Sequence, residues 1–330
     1  MAISIIIPTK DRLGILAETL EHIYHNYNPA AENIEVIVIN DGTERLDYLL
    51  QKYKNLQIHQ NKRKGAASAR NTGAHIANND VLLFMDDDML IGADCLQKHI
   101  NLHTQYPRSL VSGSWQYTPD MISLFKKSAF GRYKLKNDYR ALQGSNNSLL
   151  SEGLYASASL ASFNLSIVRA DFELLNGFNE SFPYAGCEDQ EFAMRAKENG
   201  FRLILDSTNI AVNNEKDRAD MGKWLKRQYT GVQGYPLLCE LFPERKKETL
   251  FVENTPAGYN DSFKLMLKKW SKYIFSRTLL LNCIKYTTLC FAQLKFNDII
   301  LFRCYKILSG LYIYKGFRLS YSALHKNKKI

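Results

Sequence analysis

The sequence contains no run of about 18 apolar residues, which is the length that a helix needs to cross a bilayer. Its most apolar region, near the C-terminus, is interrupted by charged residues such as Lys285, Asp298 and Arg303. The N-terminal residues lack the basic segment of a signal peptide, and their apolar run stops at Pro8. We therefore expect neither a spanning helix nor a signal peptide, and we expect a buried strand at the start of the chain.

The six cysteines form neither a Cys-x-x-Cys pair nor the regular spacing of a disulfide framework. This pattern argues against a zinc site and is typical of reduced thiols, so it predicts a cytoplasmic protein. Hydrophobic residues make up 45% of the 330 residues, which is enough for a substantial buried core. A packed enzyme is therefore compatible with the composition.

Positive charge is concentrated at one end of the chain. Residues 262–330 contain 14 Lys and Arg and a single acidic residue, Asp298, which gives this segment a net charge of +13. The whole chain carries +10, so the remainder is slightly acidic. The division predicts a C-terminal surface that meets something anionic, and phospholipid and nucleic acid are both candidates.

Short β-rich runs alternate with helical stretches up to about Met89, which predicts parallel strands joined by crossover helices. Strands are predicted at Ile3–Ile7, Glu35–Asn40, Leu56–Gln60 and Val81–Met85, with helices at Ile15–Tyr24 and Gly65–Ala77. Because the strands are almost entirely apolar, we expect a sheet covered by helices on both faces. The predicted fold class is α/β, with a Rossmann-like, mostly parallel sheet.

The pattern changes after Asp88. We predict helices at Ala93–Gln105 and Glu188–Asn199, strands at Leu110–Tyr117, Ala158–Val168 and Arg202–Leu205, a flexible polar loop over Gly131–Gly153, and only helices from Met221. The predicted catalytic domain covers residues 1–215, with a nucleotide half over about 1–90 and an acceptor half over about 91–215. A helical, basic C-terminal region follows over residues 216–330.

Three consecutive carboxylates, Asp86, Asp87 and Asp88, follow the apolar strand Val81–Met85. Adjacent like charges repel unless a cation or solvent relieves them, and a hard divalent ion prefers oxygen ligands. A solvated acidic turn explains this run equally well when the run is considered alone. The next observation favours a binding site.

Two further strands end in the same way. Asp41 follows Glu35–Asn40 and precedes Gly42, and the first strand ends in Pro8-Thr9-Lys10-Asp11-Arg12. A carboxylate such as Asp41 can accept a hydrogen bond from a base or a ribose, although a helix cap is an alternative interpretation. Because open α/β sheets bind ligands at the carboxyl ends of their strands, we expect these residues to converge.

Two more features of the sequence contain residues that are suited to binding or catalysis. Arg70 stands among small residues from Gly65 to Gly73, where it is suited to a phosphate or a base edge. Glu188 and Asp189 begin a helix, where the helix dipole favours carboxylates regardless of function. The same dipole is expected to keep Asp189 ionised, as a base that takes a proton from a hydroxyl must be.

Together, these five motifs resemble glycosyltransferase family 2 in their order and separations over roughly residues 1–215. The resemblance implies a GT-A fold, a nucleotide-sugar donor with UDP-sugars favoured, Mn²⁺ or Mg²⁺, and inversion at the anomeric carbon. It also implies nucleotide-sugar contacts at Pro8, Thr9, Asp11, Asp41, Arg70, Asp86 and Asp87. The implied metal ligand is Asp88, the catalytic base is Asp189, and Glu188 holds the acceptor.

Two departures qualify the expected activity. Many GT-A enzymes have a histidine metal ligand after the last core strand, where this chain has Asn213 and Asn214, so Asn, water or no third ligand is expected. The Gln-x-x-Arg-Trp motif of processive members is replaced by the sequence around Trp224. We predict a non-processive transferase acting on a glycan, a glycolipid or a small molecule, in bacterial polysaccharide or other glycoconjugate synthesis.

Two rival functions remain open at this stage. A nucleotidyltransferase also uses a metal on an α/β sheet, although the loop after the first strand lacks the glycines typical of that class. The other rival is a non-enzymatic, basic nucleic-acid-binding protein, and no nucleic-acid partner is expected if the transferase prediction holds.

The segment from Phe263 to Phe275 mixes lysines with apolar residues. It is either an amphipathic helix that packs as a cap or a helix that lies on the cytoplasmic leaflet. In the membrane interpretation, Lys264, Lys268, Lys269 and Lys272 reach lipid phosphates, and Trp270, Tyr273 and Phe275 lie at the headgroup boundary. We therefore predict a cytoplasmic protein that contacts the anionic inner face of the cell membrane.

Overall fold

The computed structural model describes residues 1–143, 147–182 and 184–326. These residues form two compact units. The first unit contains residues 1–119, 147–181 and 188–215, and the second contains residues 120–143, 182, 184–187 and 216–326. Residues 120–143 thus group with the C-terminal helices rather than with the sheet.

The first unit is built on one sheet. Within the described residues its ten strands are β1 Ile3–Thr9, β2 Ile34–Asn40, β3 Leu56–Gln60, β4 Val81–Met85, β5 Met89–Ile91, β6 Ser109–Tyr117, β7 Ser148–Ser151, β8 Leu154–Ala156, β9 Asn164–Val168 and β10 Arg202–Asn213. Their order is β3-β2-β1-β4-β9-β6-β10-β8-β7, and β5 pairs with β10. Strands β3, β2, β1 and β4 are mutually parallel, whereas β9 is antiparallel to both β4 and β6.

The described residues contain fourteen α-helices. They are α1 Leu13–Asn26, α2 Tyr48–Lys52, α3 Ala66–Ile76, α4 Cys95–Gln105, α5 Pro119–Lys126, α6 Ala129–Gln143, α7 Arg169–Leu174, α8 Glu188–Glu198, α9 Met221–Gly231, α10 Tyr235–Leu241, α11 Thr249–Val252, α12 Phe263–Phe275, α13 Thr278–Gln293 and α14 Asp298–Lys326. Short 3-10 helices lie at Lys216–Ala219, Val232–Gly234 and Pro243–Lys247. Helices α1 to α4, α7 and α8 belong to the first unit.

Helices cover the sheet on both faces, which confirms the predicted α/β class. Alternate side chains of β1 enter opposite cores: Ile5 and Ile7 pack in the cluster that contains α1, and Ile6 packs in the cluster that contains α3. A Cβ atom at Gly73 of α3 would lie 2.4 Å from Cγ2 of Ile6, so only glycine permits this close approach. The small residues of α3 therefore bring this helix against the strands.

The predicted flexible loop over Gly131–Gly153 is wrong for most of its length. Helix α6 extends to Gln143, strands β7 and β8 pair antiparallel, and residues 144–146 lie outside the described residues. The helix forms because Phe130 and Tyr133, three positions apart, pack their rings against Trp224. The polar composition of the segment conceals this apolar spacing. Two strand boundaries also differ from the prediction, because β9 begins at Asn164 and β10 continues to Asn213.

The second unit is helical, as predicted from Met221 onward. Helix α14 is the longest helix among its described residues, and Tyr305, Leu308 and Phe317 of this helix are buried. No helix among the described residues combines the length and apolarity that a membrane span requires. Exposed hydrophobic side chains are nevertheless frequent on α12 and α13.

A buried histidine network lies in the core of the first unit. The Ser166 hydroxyl oxygen lies 2.7 Å from Nδ1 of His99, and Nε2 of His99 lies 2.9 Å from Oδ1 of Asn164. Nε2 of His103 lies 2.7 Å from the Ser166 hydroxyl oxygen. Burial lowers the pKa of His99 to about 4 and that of His103 to about 3. Both rings are therefore neutral in the folded protein at neutral pH.

This network predicts acid destabilisation. Each histidine binds a proton in the unfolded chain below its ordinary pKa but stays neutral when folded, so stability is lost as the pH falls below about 6.5. The loss amounts to about 2 kcal/mol per histidine between pH 7 and pH 5. We expect urea titrations to show that this pH-dependent loss is smaller, by about that amount, in His103→Gln than in the native chain.

The comparison with His103→Gln is needed because Asp87 acts in the opposite sense. Its pKa is raised in the folded state, so protonation of Asp87 stabilises the fold as the pH falls. Subtracting the pH-dependent change in unfolding free energy of the variant from that of the native chain cancels the contribution of Asp87. An identical pH dependence in both proteins would show that His103 titrates normally.

Candidate active site

The carboxyl ends of three adjacent parallel strands form one edge of the first unit. Strand β1 pairs with both β2 and β4, so the loops that follow these strands are neighbours. Thr9 ends β1, Asp41 follows β2, and the run from Asp86 to Asp88 follows β4. The hydroxyl of Thr9 donates a hydrogen bond to Oδ2 of Asp87 at 2.7 Å, which joins two of these loops directly.

Arg12 is the centre of a carboxylate cluster at this edge. Its guanidinium lies 2.8 Å from Asp87, 3.2 Å from Asp88 and 3.3 Å from Glu215. The three carboxylates are buried, and Glu215 directly follows the Asn213–Asn214 pair at the end of β10. The cluster therefore brings the start of α1, the end of β4 and the end of β10 together around one positive charge.

Burial dominates the electrostatics of Asp87. It raises the pKa of this carboxyl to about 7, against the opposing effects of Arg12 and of the Thr9 hydroxyl. The main-chain oxygen of Asp87 also accepts a hydrogen bond from the Thr19 hydroxyl at 2.7 Å. Asp87 is thus fixed inside the protein, where it holds the positions of the two aspartates on either side.

Arg70 connects two of the acidic motifs that were predicted from sequence. Its guanidinium lies 2.9 Å from Asp86 and 3.0 Å from Glu188. Arg70 and Glu188 are buried, whereas the side chain of Asp86 is 35% exposed. Asp86 is therefore the member of the β4 run that is most accessible to a ligand, and Glu188 stands behind Arg70.

Two effects act on the ionisation of Asp189 in opposite directions. The pKa of its carboxyl is raised, first by burial and then by the negative charge of Glu188, while Arg70 opposes the shift. Desolvation thus works against the helix dipole, which favours the ionised carboxylate at the start of α8. A carboxyl with a raised pKa is a stronger base once it is deprotonated.

Asp41 and Asp11 organise the outer part of the edge. Oδ1 of Asp41 accepts hydrogen bonds from Nδ2 of Asn61 at 2.7 Å and from the Gly65 amide at 3.0 Å. The carboxylate of Asp11 accepts from the main-chain amides of Thr43 and Glu44, which lowers its pKa. These contacts fix the loops after β1 and β2.

Pro8 is half-buried within β1, one residue before the loop. Its backbone lies opposite Ile39 in the parallel pairing of β1 with β2. All the site residues predicted from sequence thus belong to the first unit, and contacts of Thr9, Arg12 and Arg70 connect several of them.

Arg12 and Glu215 are members of the site that were not predicted from the sequence. Arg12 lies in the loop after the first strand, and Glu215 lies just beyond the Asn213–Asn214 pair, where a third metal ligand was expected. The available signal was the excess of acidic residues at the strand ends, which requires a nearby cation. Sequence alone does not show that Arg12 supplies this positive charge.

The oxygen donors of the site fit a hard cation that is shared with a ligand. Among the described residues, no group of three or more His, Cys, Asp or Glu is arranged as a complete metal site. Mg²⁺ and similar ions commonly bind through one or two carboxylates together with substrate phosphates and water. Asp86 and Asp88 supply carboxylates of the required type, two positions apart after β4.

Comparison with known proteins identifies the family. A profile described as glycosyl transferase family 2 matches residues 4–163, and one described as the N-terminal domain of galactosyltransferase matches residues 142–211. Together these matches extend from β1 into β10 and include every predicted site residue. The matched part of the chain, residues 4–163, belongs to glycosyltransferase family 2. The carboxylates at the strand ends of this glycosyltransferase all lie in the part of the chain that the two profiles match, except Glu215.

Curated relatives that align with this chain are also glycosyltransferases. Validoxylamine A glucosyltransferase of Streptomyces hygroscopicus subsp. jinggangensis is 25% identical over 82% of this chain and 68% of its own length. An uncharacterized glycosyltransferase of Rickettsia bellii is 34% identical over 32% of this chain. The aligned part is only 17% of the Rickettsia protein.

Solved structures establish the GT-A fold of this glycosyltransferase. The mannosyltransferase PcManGT from Pyrobaculum calidifontis, in complex with GDP-Man and Mn²⁺, has a TM-score of 0.58 at 15% identity and covers 95% of this chain and 85% of its own. GalNAc-T7 with UDP, GalNAc and Mn²⁺ has a TM-score of 0.55 at 13% identity, covering 84% of this chain and 56% of its own. At such identities the likeness concerns the fold.

Proposed function

We propose that the protein is a metal-dependent, inverting and non-processive glycosyltransferase that moves a sugar from a nucleotide-sugar donor to an acceptor hydroxyl. The single observation that supports this most strongly is the position of Arg70, which contacts Asp86 at 2.9 Å and Glu188 at 3.0 Å. Through this arginine the donor carboxylates after β4 are linked to the start of α8, where Asp189 lies. A donor and an acceptor can thus be held within one site.

Asp189 is the proposed catalytic base. Its deprotonated carboxylate takes the proton of the acceptor hydroxyl while the oxygen attacks the anomeric carbon, and the bond to the nucleoside diphosphate breaks. One displacement from the face opposite the leaving group inverts the anomeric configuration. The like charge of Glu188 and the burial of Asp189 both raise its pKa and hence its basicity.

The remaining residues have proposed roles in orienting the donor. Asp41 accepts a hydrogen bond from the base, Thr9 and Asp87 support the loop beneath the ribose, and Asp86 binds the ribose side of the donor. UDP-sugars are the favoured donors. Glu188 keeps its predicted role in acceptor binding, and its contact with Arg70 adds a positioning role.

Asp88 is the proposed metal ligand, with Glu215 as the candidate for the third ligand position. Both carboxylates lie within 3.3 Å of the same Arg12 guanidinium, so they already converge. A bound Mn²⁺ or Mg²⁺ supplies positive charge that stabilises the departing diphosphate. Arg12 holds Asp88 and Glu215 in place for this role.

The proposal includes a peripheral contact between the basic C-terminal region and an anionic membrane. The carbohydrate acceptor would then be a glycolipid or a lipid-linked glycan at the inner face of the cell membrane. Such a product belongs to bacterial polysaccharide or glycoconjugate synthesis.

The test of the proposed function is nucleoside diphosphate release from UDP-, GDP-, dTDP- and CDP-sugars with Mn²⁺, with Mg²⁺ and with EDTA. We expect nucleoside diphosphate to be released from one nucleotide class only. The release should depend on the metal and should be faster when a suitable carbohydrate acceptor is present. Proton NMR of the product then gives the anomeric configuration, which we expect to be inverted relative to the donor. Metal-independent release or retained configuration would overturn the corresponding part of the proposal.

Glu188→Gln tests the electrostatic coupling at the base. Removing the negative charge beside Asp189 lowers the pKa of Asp189, so the acidic limb of the plot of kcat against pH should move to lower pH. The limb moves in this direction because activity requires deprotonated Asp189, whose population rises with pH. Glutamine still accepts a hydrogen bond from Arg70, and Glu198→Gln at the exposed end of the same helix is the control. An unmoved limb in Glu188→Gln would contradict the coupling.

A further inference from the structure

Helix α12 has the opposite orientation to an ordinary amphipathic surface helix. The predicted contact of its lysines with lipid phosphates is wrong for Lys269, whose side chain is only 4% exposed and lies 2.9 Å from Asp261. Lys268 and Lys272 both form ion pairs with Glu253. These three lysines therefore tie α12 to acidic residues of the second unit.

The outward face of α12 is apolar. Phe263, Leu267, Trp270 and Ile274 are 71%, 53%, 52% and 44% exposed. Their spacing of four, three and four residues places them along one side of the helix. We call these four residues the α12 stripe. Side chains of this size and number on one exposed face indicate an interaction surface.

The next helix repeats the pattern. Leu279, Cys283, Tyr286 and Cys290 of α13 have the same spacing, and all four are exposed. Two consecutive helices of the second unit thus present apolar stripes to solvent. A single exposed leucine requires no explanation, but such a repetition does.

Charge indicates which partner fits these stripes. Residues 262–330 contain 14 basic residues and one acidic residue. A second copy of the chain would bring the same positive charge to the contact, which repulsion disfavours. Nucleic acid offers negative charge, but its exterior has no apolar layer. An anionic phospholipid surface offers both, since its charged headgroups lie directly over an apolar interior.

We propose that the α12 stripe inserts into the interface of an anionic membrane, while the inward ion pairs of Lys268, Lys269 and Lys272 fix the helix to the protein. This inference rests on the proposed function for its biological role, because membrane binding would place the enzyme beside a lipid-linked acceptor. Lys264, which is exposed beside the stripe, meets the headgroups together with other basic residues of the C-terminal region.

The mode of insertion differs from binding by lysines alone. Electrostatic attraction brings the protein to the surface, and burial of the α12 stripe retains it there. Salt therefore weakens recruitment without abolishing it, because the apolar contribution is not screened. Changing the lysines of α12 to glutamine would detach the helix from its own unit, so these residues are unsuitable as the main test.

The test is flotation with vesicles of phosphatidylcholine alone and of phosphatidylcholine with about one third phosphatidylglycerol. We expect binding to the anionic vesicles and a reduction of at least about tenfold in the partition coefficient of the triple variant Leu267→Gln, Trp270→Gln and Ile274→Gln. The net charge is unchanged in this variant. The control is Leu50→Gln with Leu174→Gln, two exposed leucines of the first unit, and it should bind normally.

Four results would overturn the inference. The first three are absence of native binding to anionic vesicles, equal binding by the triple variant, and a native dimer in sedimentation velocity that the triple variant abolishes. Binding of duplex DNA at physiological salt that the native protein prefers over vesicles would also overturn it. A nucleotide-dependent rise in melting temperature should be equal in native protein and triple variant, so failure of membrane binding is distinguishable from failure of the proposed transfer activity.

Discussion

Asp189→Asn should lower kcat by about 10²-fold or more while leaving donor binding near the native value. A general base of this kind contributes roughly that factor, and an amide cannot accept the proton of the acceptor hydroxyl. Donor affinity should persist because the donor carboxylates follow β4, whereas Asp189 lies in the first turn of α8. Single-turnover rates and donor titrations measured on the same preparation separate the two effects.

The folded state of Asp189→Asn requires its own measurement. Asp189 has a raised pKa that arises chiefly from burial, so a neutral amide at this position should not lower the melting temperature. Glu198→Gln, in the last turn of α8, is the matched control and should retain both rate and stability. Native turnover together with a lower melting temperature in Asp189→Asn would make Asp189 a structural residue.

Asp88→Asn should abolish transfer and remove the metal-dependent part of nucleotide binding. A neutral amide is a much poorer ligand for a hard cation, and Asp88 is a buried carboxylate that converges with Glu215 on Arg12. Calorimetric titration of Mn²⁺ in the presence of nucleoside diphosphate should show no metal binding in this variant. Affinity for the nucleotide in EDTA should change less.

Asp94→Asn provides a control for the removal of one negative charge. Asp94 is exposed, pairs with Lys98 at the start of α4, and takes no part in the strand-end cluster. Glu215→Gln adds a second comparison, and we expect it to weaken Mn²⁺ binding without removing it. Full transfer activity in Asp88→Asn would refute the metal assignment.

The strand-end carboxylates were predictable because parallel strands place their carboxyl ends at one edge. The apolar runs before Asp41 and Asp86 determine where the strands stop, and the structure brings the following loops together. The contact of Thr9 with Asp87 follows from that geometry. Local sequence pattern and sheet topology agree here, and the fold class was confirmed for the same reason.

The counterions were not predictable in the same way. Arg12 and Glu215 meet only after β10 continues past Leu205, through an irregularity of its pairing with β6, to its end at Asn213. Arg70 is conspicuous in the sequence as the arginine among the small residues of α3, but its contact with Glu188 depends on tertiary packing. Contacts between segments so far apart in sequence leave no local pattern.

The orientation of α12 illustrates a further limit. The period of apolar residues predicts an amphipathic helix, but period alone does not show which face is turned inward. Glu253 and Asp261, in the segment before the helix, provide partners for the lysines and reverse the usual arrangement. Similarly, α6 was missed because its polar composition hides the buried pair Phe130 and Tyr133.

Metal-dependent binding of a nucleotide-sugar at the Asp88 site is tested most directly by a thermal-shift measurement with UDP-, GDP-, dTDP- and CDP-sugars, each with and without Mn²⁺. A ligand that binds only the native state stabilises it by about 2.7 kcal/mol at a concentration one hundred times its Kd. We expect that one nucleotide class raises the melting temperature, that Mn²⁺ enlarges the rise, and that Asp88→Asn removes the Mn²⁺-dependent part. No rise with any nucleotide-sugar, or an equal Mn²⁺-dependent rise in Asp88→Asn, would refute a metal-dependent nucleotide-sugar site at Asp88.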